Sequence, residues 1–301
     1  MRLGLGGLWI WSGLLQAQPG MFAMDMISTT MQASATAEPG WLAGLIRWSI
    51  RMVTPRLVAF NWCVIVLEIG LGLLLLGVWS RGVRPALWLS MVWALAVWVF
   101  GEGMGQLLTR SATFLAGAPG AMLLYGVGAA LLLLPAKRWS PRSGLPSLPT
   151  LVVLGALVLG GFLQLAPVFW TALGLANPLG EGLMMPQPVL LRSTVNAGVA
   201  LAFAVPVAFN AALVLTMLGL ACLLFLWPRD RLVFWAAVIF LALTWVVGED
   251  MGMLFGGMAT DPNSAPILTL LLVSGCTDVG TAHARPAAWL KWHQAPPRTG
   301  R

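Results

Sequence analysis

Charge is scarce in this sequence. Only 9% of its 301 residues are Asp, Glu, Lys or Arg, against about a quarter in a soluble domain, and that shortage excludes a water-covered globular core. Histidine occurs twice, at His283 and His293 near the C-terminus, so a histidine-based metal cage has no ligands to draw on. The three cysteines, Cys63, Cys222 and Cys276, stand in apolar segments with no C-x-x-C spacing; they read as buried thiols acting as small hydrophobes. The net charge is +7, but there is no long basic run and no interleaving of basic and aromatic residues in a polar segment, which argues against a nucleic-acid partner.

Long apolar runs are what the chain has in excess. They cover 57–77, 86–100, 117–136, 151–175, 197–227 and 232–247. A helix needs about 20 mostly apolar residues to cross a bilayer, and the Gly and Pro inside these runs are tolerable where neighbouring helices satisfy the backbone. The expected class is an all-α, polytopic integral membrane protein with the lipid bilayer as its first partner.

The runs repeat. S-G-L-L-Q before Pro19 matches G-G-F-L-Q before Pro167, V-A-F-N at 58–61 returns unchanged at 207–210, and W-V-F-G-E-G-M-G at 98–105 returns as W-V-V-G-E-D-M-G at 245–252. Ala112-Thr113 then pairs with Ala259-Thr260, and Ala118-Pro119 with Ala265-Pro266. Ordered matches at nearly constant spacing point to a tandem duplication: a first four-helix repeat over 1–140, a second over 146–285 and a basic tail over 286–301. Residues 1–17 look like a signal peptide, yet their partner at 151–167 lies mid-chain, so 3–18 is expected to be a retained helix and the total eight spans. The eighth is the short one, with an apolar run of only 265–275 and Asp278 aligned with Leu131.

Lys and Arg in short loops mark the cytoplasmic side. With both termini inside a bacterial cytoplasmic (inner) membrane, Arg2, Arg81, Arg84, Lys137, Arg138, Arg142, Arg229, Arg231 and the basic residues of the tail fall inside, while Arg47, Arg51, Arg56, Arg110 and Arg192 fall outside. An even number of spans per unit gives the two units the same orientation, related by an axis along the membrane normal. The segment 39–53, with Arg47 and Arg51 at helical spacing among bulky apolar residues, reads as a helix on the outer surface.

Within this apolar chain the acids are the candidates for chemistry. Glu102 and Glu249 stand in the repeated motif near the outer ends of the third and seventh helices, each four residues after a tryptophan, Trp98 or Trp245. Gly101 and Gly105, and likewise Gly248 and Gly252, form G-x-x-x-G, the spacing of a close helix crossing. A carboxylate there either bonds a neighbouring helix end or Arg110 and fixes packing, or takes a proton, cation or polar ligand. Asp250 occurs only in the later motif, where like charge is expected to raise the apparent pKa of the Glu249–Asp250 pair above that of Glu102. Glu68 lies mid-span on the second helix, and its counterpart is Met217. Asn61 and Asn210 are expected to be interhelical hydrogen-bond donors first and ligands second. Met21, Met24 and Met26, with Met31 following, supply thioethers suited to Cu(I) or act as flexible apolar filler.

The stretch V-L-E-I-G-L-G-L-L-L-L-G-V-W-S-R-G at 66–82, a helix carrying Leu-Glu, a glycine-rich continuation and an Arg-containing turn, resembles the DoxX/DoxD-like four-helix membrane proteins over the first four spans. The W-V-x-G-E-x-M-G and A-T-D-P-N-S-A-P wording also resembles uncharacterised actinobacterial membrane proteins. The DoxX-like resemblance implies membrane redox chemistry and a quinone partner, although no haem, flavin or cysteine motif is present to carry electrons. Three roles therefore stand open: binding or moving a small solute, proton or cation at outward-facing acids; a quinone-linked redox partner or subunit; and a structural or assembly protein. Cofactor and oligomeric state are not readable.

Overall fold

The computed structural model describes residues 1–135, 139 and 145–276. Lys137, Arg138, Arg142, Asp278, both histidines and the basic tail lie outside the described residues. The described chain is all-α. Its helices are α1 (Arg2–Leu15), α2 (Gly40–Val53), α3 (Leu57–Leu76), α4 (Val83–Phe100), α5 (Ala121–Leu133), α6 (Leu148–Leu163), α7 (Ala172–Gly180), α8 (Val189–Ala204), α9 (Pro206–Leu226), α10 (Arg231–Leu243) and α11 (Ser264–Cys276).

Four stretches are long and apolar enough to cross a membrane: 40–76, 80–100, 206–226 and 231–248. Four shorter apolar helices accompany them, at 121–133, 148–163, 189–204 and 264–276. Their outward faces are apolar, as lipid-facing helices require. Leu232, Trp235, Ile239 and Leu243 form one exposed stripe on α10, and Trp88, Val92 and Leu95 another on α4. Such apolar area left uncovered in water would drive association; in a bilayer it meets lipid. The chain is a multi-pass membrane protein. The cysteines share this outward position: all three are free and exposed, so the expectation of buried thiols fails because the apolar segments holding them have a lipid-facing side.

Helix ends follow local chemistry. Asp230 caps α10 by accepting from Leu232 N at 2.8 Å and Val233 N at 3.0 Å, Thr171 caps α7, and Gly77, at φ 97°, closes α3 in the left-handed conformation that glycine adopts freely. Packing then pairs α1 with α3 and α6 with α9, α4 with α5 and α10 with α11. A Cβ added at Gly72 would lie 2.6 Å from Gly6 O, so α1 and α3 touch backbone to backbone. One continuous apolar core joins both sets of helices. The α1–α4–α5 part carries a polar cluster: Trp9 Nε1 donates to Ser90 Oγ at 2.7 Å, and Trp9 meets the sole tyrosine, Tyr125, edge to face.

The helices α5 and α11 have 13 residues each, about 20 Å of rise against a hydrocarbon core of about 30 Å. Buried loop residues precede both. Residues 112–115 and Ala118, before α5, are buried, which is permitted at membrane depth only where protein covers the polar groups. The sharpest feature of these loops is a turn of left-handed backbone. Gly103, Met104, Gly105 and Gln106 have φ from 54° to 66°, and Asp250, Met251, Gly252 and Met253 have φ from 48° to 70°.

This turn corrects the reading of the repeated glycines. Gly101 and Gly248 sit where their helices end, and Gly105 and Gly252 lie beyond, in the left-handed turn, so neither pair shares a helix face. The close approach is real but has another partner: a Cβ on Gly105 would strike Pro119 O, and one on Gly252 would lie 2.8 Å from Pro262 C. Asp250 can replace Gly103 because Asp is among the few side chains that tolerate this region.

The corresponding bonds also correct one pairing. Trp98 Nε1 donates to Pro119 O at 2.8 Å across 21 residues, whereas Trp245 Nε1 donates to Pro262 O at 2.8 Å across 17. The bond from Trp245 thus ends on Pro262, not on Pro266, four residues closer in sequence than Pro119 is to Trp98, and α11 is as long as α5.

Gly105→Ala and Gly252→Ala should each lower the thermal midpoint in detergent, by the equivalent of about 1–3 kcal/mol for a strained position. Gly219→Ala, in an open helical position on α9, should be neutral or stabilising by up to about 1 kcal/mol. Equal midpoints for all three would remove the left-handed turn from the account.

Candidate functional site

The two repeated glutamates do the same local job. Glu102 Oε1 accepts from Met122 N, in the first turn of α5, at 3.0 Å. Glu249 accepts from Ala265 N, in the first turn of α11, with its oxygens at 3.2 and 3.1 Å. Helix N-termini present unpaired amides and a positive partial charge, so each carboxylate completes a helix that begins inside the protein. Arg110 is exposed and makes no bond to Glu102; the helix end, not the arginine, is the partner.

The two sites then diverge. Both Glu249 oxygens face an amide, whereas Glu102 Oε2 is buried with no hydrogen-bond partner and lies against Gly120 and Trp98. Asp250 turns away from Glu249 onto Gly182. Burial lifts Glu249 to about 8, and the charge that adds to this is Asp261. Burial, then Asp261, lifts Glu102 in the same direction, with Met122 N opposing. Burial lifts Asp250 to about 6. The expected contrast between the halves, driven by Glu249–Asp250 repulsion, is therefore not found: burial leads in both, and the second carboxylate comes from elsewhere in the chain.

Glu68, 2% exposed, sits where α3 faces α4. Trp93 Nε1 donates to its Oε1 at 3.0 Å, and its Oε2 has no partner. A chamber of about 210 Å³ adjoins it, walled by Val64, Trp93, Val97 and Phe100 and reached also by Gln16 and Glu102. Gln16 Oε1 is another buried acceptor without a partner. At the loop-rich end of the molecule a larger cleft of about 940 Å³ is lined by Glu102, Asn177, Glu181, Asp261 and Asn263. Glu102 belongs to the walls of both spaces.

Asn61 and Asn210 bond as interhelical donors, Asn61 Nδ2 to Gln16 O at 2.8 Å and Asn210 Nδ2 to Gln164 O at 2.9 Å. Met21, Met26 and Met31 pack with Ile27, Val53 and Leu57 in one buried apolar cluster, and Met24 is 56% exposed. No family model, curated protein or solved structure matches this chain.

Two acids escaped the sequence reading. Asp261 is buried, accepts from Thr260 Oγ1 at 2.8 Å and Asn263 N at 2.7 Å, and acts electrostatically on Glu68, Glu102 and Glu249. The pairing of Thr113 with Thr260 already placed it opposite Phe114, a charge facing an aromatic ring. Glu38, buried beside Gly103 with neither carboxylate oxygen bonded, left no such signal.

A raised carboxyl pKa makes the folded state hold protons that the unfolded state has released, so stability falls as pH rises through that window. The thermal midpoint in detergent should fall between the ordinary glutamate range and about 8, the raised value at Glu249. Glu249→Gln should flatten part of that slope, by up to about 1.4 kcal/mol per pH unit, while keeping an acceptor for Ala265 N. Glu249→Ala should cost about 0.5–2 kcal/mol at every pH, as loss of a cap does. An unchanged slope in the Gln variant would show that Glu249 does not titrate there.

Proposed function

We propose that this protein takes up protons or small cations from the outer aqueous face of a bacterial cytoplasmic membrane and passes them through Glu102 to Glu68. The supporting observation is that Glu102 lines both the larger cleft and the smaller pocket beside Glu68, with one oxygen fixed by the start of α5 and the other unpartnered. A carboxylate held at one oxygen and free at the other can accept a proton or cation without moving its backbone. A quinone-linked DoxX-like role gains no specific observation from this geometry.

The architecture we infer is two like four-helix units, eight crossings in all, made by α1, α3, α4 and α5 and by α6, α9, α10 and α11. The loop-rich end lies outside and both termini inside. In a cysteine-free background, Arg110→Cys should react with an impermeant thiol reagent added outside intact cells, and Arg81→Cys only after lysis. The opposite pattern inverts the protein.

The functional reading is tested by infrared difference spectroscopy on protein reconstituted in vesicles with the loop-rich face outward. An external pH jump should change the carboxyl bands of Glu102 and Glu68, each identified by its own substitution. In Glu102→Gln the Glu68 band should respond at least about tenfold more slowly, a barrier increase of about 1.4 kcal/mol. A Glu68 response of wild-type speed in that variant would eliminate Glu102 as the entrance.

A further inference from the structure

The chamber beside Glu68 has a counterpart in the second unit, and comparing them indicates what the chamber holds. Met217 stands in place of Glu68 and Phe240 in place of Trp93. Phe114 reaches across from the first unit and stacks on Phe240, with ring centroids 6.1 Å apart and planes at 18°. Gly160, in the place of Ser12, is closed in by Phe114 and Met217. The polar groups there are satisfied: Gln164 Oε1 accepts from Thr113 Oγ1 at 2.8 Å, and Gln164 Nε2 donates to Asn210 Oδ1 at 3.1 Å. The helices thus pack with an apolar, filled site at this position.

The first unit departs from that solution in one consistent way. Thr260, the counterpart of Thr113, gives its hydroxyl to Asp261 instead of to Gln16, and Asp261 stands where Phe114 would supply a ring. Three buried oxygens around the chamber lack partners: Gln16 Oε1, Glu68 Oε2 and Glu102 Oε2. The amide oxygen can only accept, and so can both carboxylates when ionised. A fitting occupant brings donors and positive charge. The remaining wall is apolar and aromatic, including Phe60, Trp93 and Phe100, so the occupant also has an apolar body, and those rings favour a cation at their faces. A dry cavity of about 150 Å³ holds benzene; this chamber, about 210 Å³, has room for a ring and one charged group.

We propose that the chamber binds a small organic ammonium ion, its nitrogen donating to Glu68 and Glu102 and its apolar body lying among Val64, Trp93, Val97 and Phe100. This rests on the reading that Glu102 admits cations from outside and names the class of cation retained.

Full-length protein in detergent at neutral pH is titrated calorimetrically with benzylammonium chloride, benzyl alcohol and ammonium chloride. Benzylammonium should bind at least about tenfold more tightly than either comparator, a difference of about 1.4 kcal/mol. The pair Glu68→Met with Trp93→Phe, which copies residues the second unit already accommodates, should lose that binding while melting as one transition. Benzyl alcohol binding as tightly as benzylammonium overturns the proposal, because an apolar pocket alone would suffice. Absence of benzylammonium binding also overturns it, and the infrared response to the pH jump then shows separately whether proton entry through Glu102 survives. Binding without that response supports the chamber and removes the entrance. The comparison of the three compounds on wild-type protein needs no variant to fold.

Discussion

A buried carboxylate accepting the first amides of a short helix is the contact on which this architecture depends. Both α5 and α11 begin inside the protein, where water cannot satisfy their N-terminal amides. An unpaired amide there costs about 1–3 kcal/mol. Glu102 and Glu249 supply acceptor oxygens from the end of the neighbouring long helix, while Trp98 and Trp245 donate to the carbonyls of Pro119 and Pro262 just before the short helices begin. Each short helix is thus held at its start by an acceptor and a donor from one element. The left-handed turn follows from the same requirement, since it carries the chain from the long helix beneath Pro119 or Pro262 with no side chain in the way.

The loops that make this possible also join the two sets of helices. Thr113 crosses to Gln164, Ser264 Oγ donates to Gly117 O, and Gln18 bonds both Leu254 O and Ala259 N. Apolar helices gain little from one another in lipid, where the tails are as apolar as leucine. Polar side chains bonding backbone between the sets supply direction that dispersion alone lacks. The cleft containing Glu102, Glu181 and Asp261 lies among these crossing loops, so the elements that hold the halves together also concentrate the acids.

Much of this was legible from residue pattern, and the failures share a cause. The long spans, the helix at 40–53 and the interhelical role of Asn61 and Asn210 follow from apolar periodicity and position. The glutamates were placed correctly near helix ends, but G-x-x-x-G was read as a helix face. The spacing is the same whether glycine permits a crossing or a positive φ, and only the backbone distinguishes the two. Asp261 was readable from the Thr113–Thr260 pairing, yet the chamber was not, because it needs α2, α3, α4 and a residue almost 200 positions away to meet.

Comparing the two interiors separates what packing demands from what is additional. Capping demands Glu102 and Glu249, and at Glu249 it uses both oxygens. Glu68 and Asp261 cap no helix in this way: Glu68 Oε2 has no partner, and Asp261 accepts from its neighbours Thr260 and Asn263. A buried carboxylate with one oxygen unpartnered opposes folding, and Asp261 lies within electrostatic reach of both Glu68 and Glu102. On the proposal that this pocket takes an ammonium ion, a positive charge beside these acids would offset that cost. The apolar packing of Met217, Phe114 and Phe240 carries no such cost, so the acids beside α3 are an addition that packing alone does not account for.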